Sequence, residues 1–531
     1  MKTAALLGAI LIGLCVKQIS DPDIWFYLVV ARHALQLGHI PAAEFYVYPA
    51  LGETAHFSAF GFGAMHYLMH QIGGLTAMAL LNALLCGGAL LILLFAARKA
   101  TRNELSVWLG LLPIAIAYTL AEFRMAYRPE TTLFLFLAIE LLLLECWLAG
   151  SRPRILAGIP VLAFLLAQLH TTTVFIWVVY LAYATHWGLG KGWLRLRTLA
   201  PPIRTELAWL TGCGALALLL PLLNPFGPAQ LTILFQSLSS SVSTPADNPE
   251  YLPILITEYR YHFIALAGLL AVVWGSNPER RWVDLMLILS FGWLAFQYVR
   301  NLGLLALIAV IPIALSLNRL QSVLVRRYPM NPINTWAGLT ALLVMLNAAH
   351  ASGNWGVGLR EQHFPVAGIQ AIHQTSSGGN VLNFFHHGSY LAWALGENYK
   401  IAIDGHFVTQ TRANAYHDSL FRADPGWDRQ LTADRVIAIV TPATLPFTGE
   451  LIPLVEKLAG HPQWALVAVE SEALTFVPRQ SASQGLPQAA LWGQVLKEAE
   501  IVIRDNPNPT RALAAKTAAE TRLSILEKAR P

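Results

Sequence analysis

Charge is scarce in this chain. Of its 531 residues only 13% are Asp, Glu, Lys or Arg, while 55% are hydrophobic, a balance that soluble globular proteins of this size do not show. Cysteine is scarcer still: the four present, Cys15, Cys86, Cys146 and Cys213, all fall inside apolar runs, which excludes a disulfide framework and a cysteine metal knuckle. Neither a phosphate-cradling Gly-rich loop nor a dinucleotide fingerprint occurs, so no soluble nucleotide-binding domain is expected. A periodic repeat and a strong low-complexity tract are missing too. The net charge of +5 comes from short basic loops and gives no reason to expect nucleic acid as a partner.

Long apolar runs take the place of what is missing. Residues 3–19, 75–97, 105–121, 131–149, 155–169, 171–188, 206–223, 262–275, 283–299, 302–318 and 335–351 have spanning length or come close to it, which predicts a polytopic α-helical membrane protein of about eleven transmembrane helices. Lys2 ahead of the first run imitates a signal peptide. No small-x-small cleavage site follows it, and Asp21-Pro22 come at once, so the run is read as a retained helix. With a cytoplasmic N-terminus, alternate connections hold Arg98, Lys99, Arg102, Arg152, Arg154, Lys191, Arg195, Arg197, Arg204, Arg280, Arg281, Arg319, Arg326 and Arg327, joined by Lys2. The other side, before residue 352, holds only Lys17, Arg32, Arg124, Arg128, Arg260 and Arg300. The positive-inside rule then places the first loop and the C-terminal region outside.

Three parts follow: residues 1–351 as a transmembrane domain with a first outer loop at 20–74, residues 352–480 as an extracytoplasmic α/β domain, and 481–531 as a helical C-terminal tail. Asp21-Pro22-Asp23 reads as a helix start, with Asp21 as the cap and Pro22 at the first helical position, and Gly38 closes that helix. Its Trp, Phe and Tyr predict a segment lying along the bilayer surface, and a second amphipathic helix is expected up to Gly73. Strand-like runs at 381–385, 400–404, 435–440, 464–469 and 473–477, separated by helical stretches, carry the α/β expectation.

Several short motifs stand in order along this frame: Asp21-Pro22-Asp23-Ile24-Trp25, Gly38-His39-Ile40-Pro41, Arg128-Pro129-Glu130, Asn224-Pro225-Phe226-Gly227, Gly388-Ser389-Tyr390-Leu391 and Ile403-Asp404-Gly405. The collinear set resembles a bacterial branch of the C-type (GT-C) glycosyltransferase superfamily. It is similar, more distantly, to protein mannosyltransferases and to the catalytic subunit of oligosaccharyltransferases. That subunit carries Trp-Trp-Asp-Tyr-Gly where this chain has Phe384-Phe385-His386-His387-Gly388, so recognition of a peptide sequon is not expected.

The resemblance implies an inverting, lipid-linked-sugar-dependent glycosyltransferase in a bacterial inner (cytoplasmic) membrane, serving the cell envelope. Its donor would be a polyprenyl phosphate or pyrophosphate sugar and its acceptor a protein, lipid or glycan on the outer face. Asp21 is the base of choice, with Asp23, Glu44 and the later outer-loop Glu258 as further catalytic acids. Asp23 either positions the acceptor or, with Glu258, binds a divalent cation such as Mg or Mn. Arg124, Arg128, Arg260 and Arg300, joined by His170, are the candidates to hold substrate, because guanidinium groups suit a departing phosphate.

Blander readings stand beside each: Asp21 as a helix cap, Asp23 and Glu44 as solvated acids, Arg124 and Arg128 as snorkelling side chains, Glu258 and Arg260 as a turn pair, and His170 as a satisfied helix-end histidine. For the whole chain the alternatives are a transporter or flippase of lipid-linked saccharides, and a non-catalytic assembly protein on a degenerate frame. A transporter predicts two related halves and charges at mid-span, which the sequence reading does not find.

Overall fold

The structure is a computed structural model that describes residues 2–191, 201–229, 250, 252–276, 281–324, 330–405, 411–482, 484–505 and 509–528. By contact the chain divides into two compact units, one of Met1–Ile19 with Ser58–Gly358 and one of Ser20–Phe57 with Leu359–Pro531. The first loop up to Phe57 thus groups with the C-terminal region, whereas a reading along the chain attaches it to the spans.

In chain order the helices up to residue 351 are α1 (Lys2–Leu14), α2 (Asp23–Leu37), α3 (Phe60–Ala100), α4 (Leu111–Ala121), α5 (Glu130–Leu148), α6 (Gly158–Leu169), α7 (Val174–Lys191), α8 (Pro201–Leu219), α9 (Arg260–Gly275), α10 (Trp282–Gln297), α11 (Leu302–Leu324) and α12 (Met330–Ala351). All but α2 belong to the first unit. Each apolar run singled out above overlaps one of them. Among the described residues five helical stretches are long and apolar enough to cross a membrane: Phe60–Ala100, Glu130–Leu148, Ile203–Leu223, Val299–Leu324 and Pro332–Ala351. Within α3 the backbone is non-helical at Gly73 and Gly74, a kink that separates the expected amphipathic helix from the apolar run after it. Helices α1 and α3 approach closely because residue 87 is glycine: a Cβ there would lie 2.6 Å from Ile12 Cα, the close backbone packing that small residues permit in membrane bundles.

Two acids inside α5 went unnoticed in the sequence reading. Glu145 pairs with Arg281 at 2.5 Å and accepts from the Tyr183 hydroxyl at 2.6 Å. Glu140 is fully buried near the middle of the helix, and neither carboxyl oxygen has a hydrogen-bond partner among the described residues. The expectation of no mid-span charged residue is corrected by this side chain.

The second unit is built on a five-stranded mixed sheet, β1 (Gly379–Asn383), β2 (Tyr399–Ile401), β3 (Val436–Thr441), β4 (Trp464–Val469) and β5 (Leu474–Pro478), in the order β2-β1-β3-β5-β4. β1 runs parallel to β2 and β3, and β5 is antiparallel to β3 and β4. Its helices are α13 (Val366–Thr375), α14 (Phe385–Leu395), α15 (Thr411–Phe421), α16 (Trp427–Ala433), α17 (Pro453–Leu458), α18 (Gln488–Asp505) and α19 (Thr510–Lys528). The last two form the expected helical hairpin. They are no loose tail, since Leu491, Trp492, Val495, Ala515 and Ala519 enter the same apolar core as Leu382, Ile439 and Phe476.

Helix α2 packs within the same unit, against α14. Ile24, Trp25, Leu28 and Val29 are buried, and Trp25 meets Tyr390 of α14 edge-on at 5.0 Å. Arg32 lies 4.8 Å over the Trp393 ring. Farther on, Val47 forms a parallel bridge with Ile401, whose amide donates to the Tyr46 carbonyl at 3.0 Å. The first loop therefore continues the sheet beyond its β2 edge.

Candidate functional site

In the membrane unit a charged cluster forms where α4 gives way to a short 3-10 turn, Glu122–Arg124, ahead of α5. Arg124 is 3% exposed; its Nη2 donates to Glu130 Oε1 at 2.5 Å and its Nη1 lies 2.8 Å from Glu250 Oε1. Arg128 Nη1 sits against both oxygens of Glu250, at 2.6 and 2.8 Å. Burial works against ionisation of Glu250, but Arg128 and then Arg124 outweigh it and hold the carboxyl down to about 2. Arg300, on the 3-10 turn Val299–Asn301, is close enough to add to that effect.

His170 stands at the end of α6, where its Nδ1 accepts the Thr172 amide at 3.0 Å. Burial lowers its pKa to about 4, with Glu130 opposing and Arg300 and Arg124 assisting, so the ring is neutral at physiological pH. Three guanidinium groups and two carboxylates then leave the cluster one net positive charge, as an anion-binding site requires. Nearby, Lys17 pairs with Glu122 at 2.5 Å, and Tyr127 donates to the Lys17 carbonyl, which ties the end of the first span to the same region.

The other expected members of this group lie differently. Glu258 is exposed on the turn before α9. Arg260 is exposed as well and lies 4.7 Å over the Tyr261 ring, so the turn-pair reading is not what the described contacts contain. Asp23 and Glu258 fall in different compact units. Among the described residues no three His, Cys, Asp or Glu side chains gather as a metal set.

In the α/β unit the helix begins one turn position later than expected, at Asp23, with Pro22 in the cap position. Asp21 Oδ1 accepts the Asp23 amide at 2.9 Å, so the capping role is retained through the side chain of the residue before the proline. Asp21 is 9% exposed. Glu44 is turned inward: its Oε1 takes the amides of Phe45, Tyr46 and Val47 at 2.9, 3.0 and 3.1 Å. That is the geometry of a brace for the turn leading to the sheet edge.

The late motif has a packing explanation. Asn383 donates to the carbonyls of Phe384 and Ile403 at 2.9 and 2.7 Å and accepts the Ala402 amide at 2.9 Å. Gly388 lets α14 pass that segment, where a Cβ would stand 1.9 Å from the Ile403 oxygen. Asp404 is fully buried and receives the Tyr46 hydroxyl. Glycine at 405 admits Asp23, whose Oδ1 would be 2.7 Å from a Cβ there. The Ile-Asp-Gly segment is thus the surface against which Asp23 rests. Glu250 is the member of the arginine cluster that sequence reasoning missed, since it lies in a polar Ser/Pro-rich loop with no pattern around it; Glu130 was quoted in a motif but given no role.

No protein-family model matches the chain, and no curated protein matches it by sequence. Solved structures do match by shape. An oligosaccharyltransferase from Archaeoglobus fulgidus, tethered to an acceptor peptide containing the NVT sequon, is 13% identical with a TM-score of 0.54 over 83% of this chain and 69% of its own. The archaeal oligosaccharyltransferase AglB from the same organism, in complex with an inhibitory peptide and a dolichol-phosphate, gives 13% and 0.51 over the same shares. ArnT from Cupriavidus metallidurans, bound to undecaprenyl phosphate, is 12% identical with a TM-score of 0.52 over 91% of this chain and 99% of its own. Together these likenesses show that the chain shares its fold with these oligosaccharyltransferase and ArnT structures.

Proposed function

We propose that this protein is an inverting glycosyltransferase that takes a sugar from a polyprenyl phosphate or pyrophosphate and passes it to an acceptor on the outer face of a bacterial inner membrane. In this reading the eleven apolar helices span the bilayer and the α/β unit lies outside.

The observation that carries the reading is a pairing of apolar groove and cationic cluster within the membrane unit. A cavity of about 550 Å³ runs between α9, α10 and α11, walled by residues such as Leu270, Trp274, Ile288, Trp293 and Phe296. One end of it is marked by Phe263 and Phe296, with ring centroids 6.3 Å apart. Phe296 lies four residues before Arg300, across the end of α10, and the Tyr259 ring at the head of α9 stacks on Phe123, the sequence neighbour of Arg124, at 4.8 Å. An isoprenoid tail suits such a groove, and its phosphate suits the arginines at that end. The dolichol phosphate and undecaprenyl phosphate held by two of the similar structures are ligands of this chemistry.

The reaction needs two things from the protein. Asp21 takes the proton from the acceptor hydroxyl as its oxygen attacks the anomeric carbon. The carbon–oxygen bond to the lipid phosphate breaks on the opposite face, and Arg124, Arg128 and Arg300 stabilise the charge that gathers on the leaving phosphate.

The test is native mass spectrometry of the purified protein with undecaprenyl phosphate, alongside transfer from undecaprenyl-phosphate hexoses to a cell-envelope extract. Wild type retains the lipid, Arg128→Ala loses it, and Asp21→Asn binds it normally while transfer falls at least ~100-fold, within the range for loss of a general base. A folded Asp21→Asn protein that transfers at the wild-type rate rejects the base assignment. Failure of wild type to bind the lipid rejects the donor class.

A further inference from the structure

The α/β unit holds a second cavity, of about 370 Å³, within the ~300–1,000 Å³ range of small-molecule sites. Its position follows from the sheet. β1 is the middle of three parallel strands: the chain leaves it through α14 to reach β2 on one side, and β3 pairs on the other. Ligands in open parallel sheets bind beyond the carboxyl ends of the strands at such a reversal. Here Phe384 and His387 follow β1, Thr444 and Phe447 follow β3, and all four line the cavity.

Its polar groups are unusual in kind. His387 is 3% exposed, and its Nδ1 has no hydrogen-bond partner among the described residues. The Glu472 main chain meets the ring, which leaves Nδ1 as a lone pair. Burial lowers this histidine to about 4, so the lone pair persists at neutral pH. His363, also in the wall, has its Nδ1 2.7 Å from Glu472 Oε1, and its Nε2 has no partner among the described residues.

The buried His387 acceptor in the pocket wall disfavours an anion and suits a ligand that brings hydrogen-bond donors. Phe384 and Phe447 supply apolar faces beside it. Hydroxyl groups around a ring with apolar C–H faces meet both demands. Glu498 contributes no further acceptor, since its oxygens take the amides of Ala443 and Thr444 at 3.2 and 2.7 Å, the Thr444 hydroxyl at 3.0 Å and Gln494 at 2.9 Å.

We propose that this pocket binds a saccharide and that the saccharide is the acceptor of the transfer. Ser20 and Pro22, the two neighbours of Asp21, form part of the wall, so a sugar seated there lies beside the segment that carries the base. The acceptor role rests on the glycosyltransferase reading; the binding does not.

Saturation-transfer NMR tests it, with full-length protein in nanodiscs and the methyl α-glycosides of glucose, galactose, mannose and N-acetylglucosamine as probes, and inorganic phosphate as the anionic comparison. At least one glycoside gives transfer. Binding weakens at least ~10-fold in His387→Phe and Phe447→Ala, the scale of one buried hydrogen bond or ring contact. It stays within ~2-fold in His387→Gln, whose amide oxygen still accepts, and in Asp21→Asn. Phe447 is 40% exposed, so its truncation reports on the pocket even where the buried His387→Phe fails to fold. Absence of transfer from all four glycosides overturns the proposal, as does transfer that survives Phe447→Ala, or binding of phosphate in their place. Should Asp21→Asn keep full transferase activity while glycoside binding behaves as stated, the base assignment falls and the pocket stands.

Discussion

Asp23 Oδ1 stands so close to Gly405 that a Cβ on residue 405 would lie 2.7 Å from it. The neighbour is the end of a side chain and can move, so Gly405→Ala is expected to cost no more than about 1 kcal/mol of stability. It displaces the acid loop all the same, and misplacement on the ångström scale costs on the order of 100-fold in rate. Thermal unfolding and transfer rate, measured together, check this. Unchanged transfer would mean that the Asp23 position has no bearing on the chemistry.

Glu250 occupies the guanidinium groups that the donor phosphate is proposed to use. Glu250→Gln removes the competing charge but keeps the shape. Undecaprenyl phosphate is expected to bind about 3- to 10-fold tighter at low salt, and the gain shrinks as ionic strength rises. Lipid titration by native mass spectrometry at two salt concentrations reads this out; weaker binding by the variant would make Glu250 part of the site.

Asn383 holds the main chain at Phe384, Ala402 and Ile403 with three hydrogen bonds and is fully buried. Asn383→Ala strands the Ala402 amide and the Ile403 carbonyl, at about 2–4 kcal/mol for two unsatisfied groups. The α/β unit is expected to unfold at lower temperature while lipid binding by the membrane unit is retained. An unchanged unfolding temperature contradicts it.

His387 gives stability a pH dependence of definite sign. Burial lowers its pKa from the ordinary 6.5 to about 4, so between these values the unfolded chain takes up the proton and the folded one does not. Its contribution is complete above pH 6.5 and is lost as pH falls toward 4, to a total of about 3 kcal/mol. Unfolding free energies of wild type and His387→Gln from pH 7 to pH 4 are expected to converge by this amount. Parallel curves would show that the imidazole takes up its proton equally well in the folded state.

Where polarity alternates or apolar length accumulates, the sequence was readable. The strands at 381–385, 435–440 and 464–469 fall within a residue or two of those found, and Gly38 closes its helix with φ 74° as its position suggests. What pattern could not tell was the partner of an apolar face. The Trp25 side of α2 would look the same against lipid as it does against Tyr390, because both are simply not water. The partners of the carboxylates were hidden for a related reason. Glu44 braces three amides and Glu250 bridges two arginines, and each depends on groups brought in by folding, which spacing along the chain does not record. Asp21 and the arginines of the outer turns were singled out because they break a rule, acid beside proline at the end of an apolar run and cations on the side with few.

Arg32 reaches across 361 positions of sequence to the carbonyl of Trp393. During synthesis the segment from Ser20 to Phe57 emerges well before the surface it packs on. For most of translation its aromatic face has no protein to cover it and must be sheltered by the bilayer or by a chaperone. The last third of the polypeptide therefore decides whether the earliest loop ever acquires its working shape, and a chain stopped short of β2 would carry its acids in place by sequence alone.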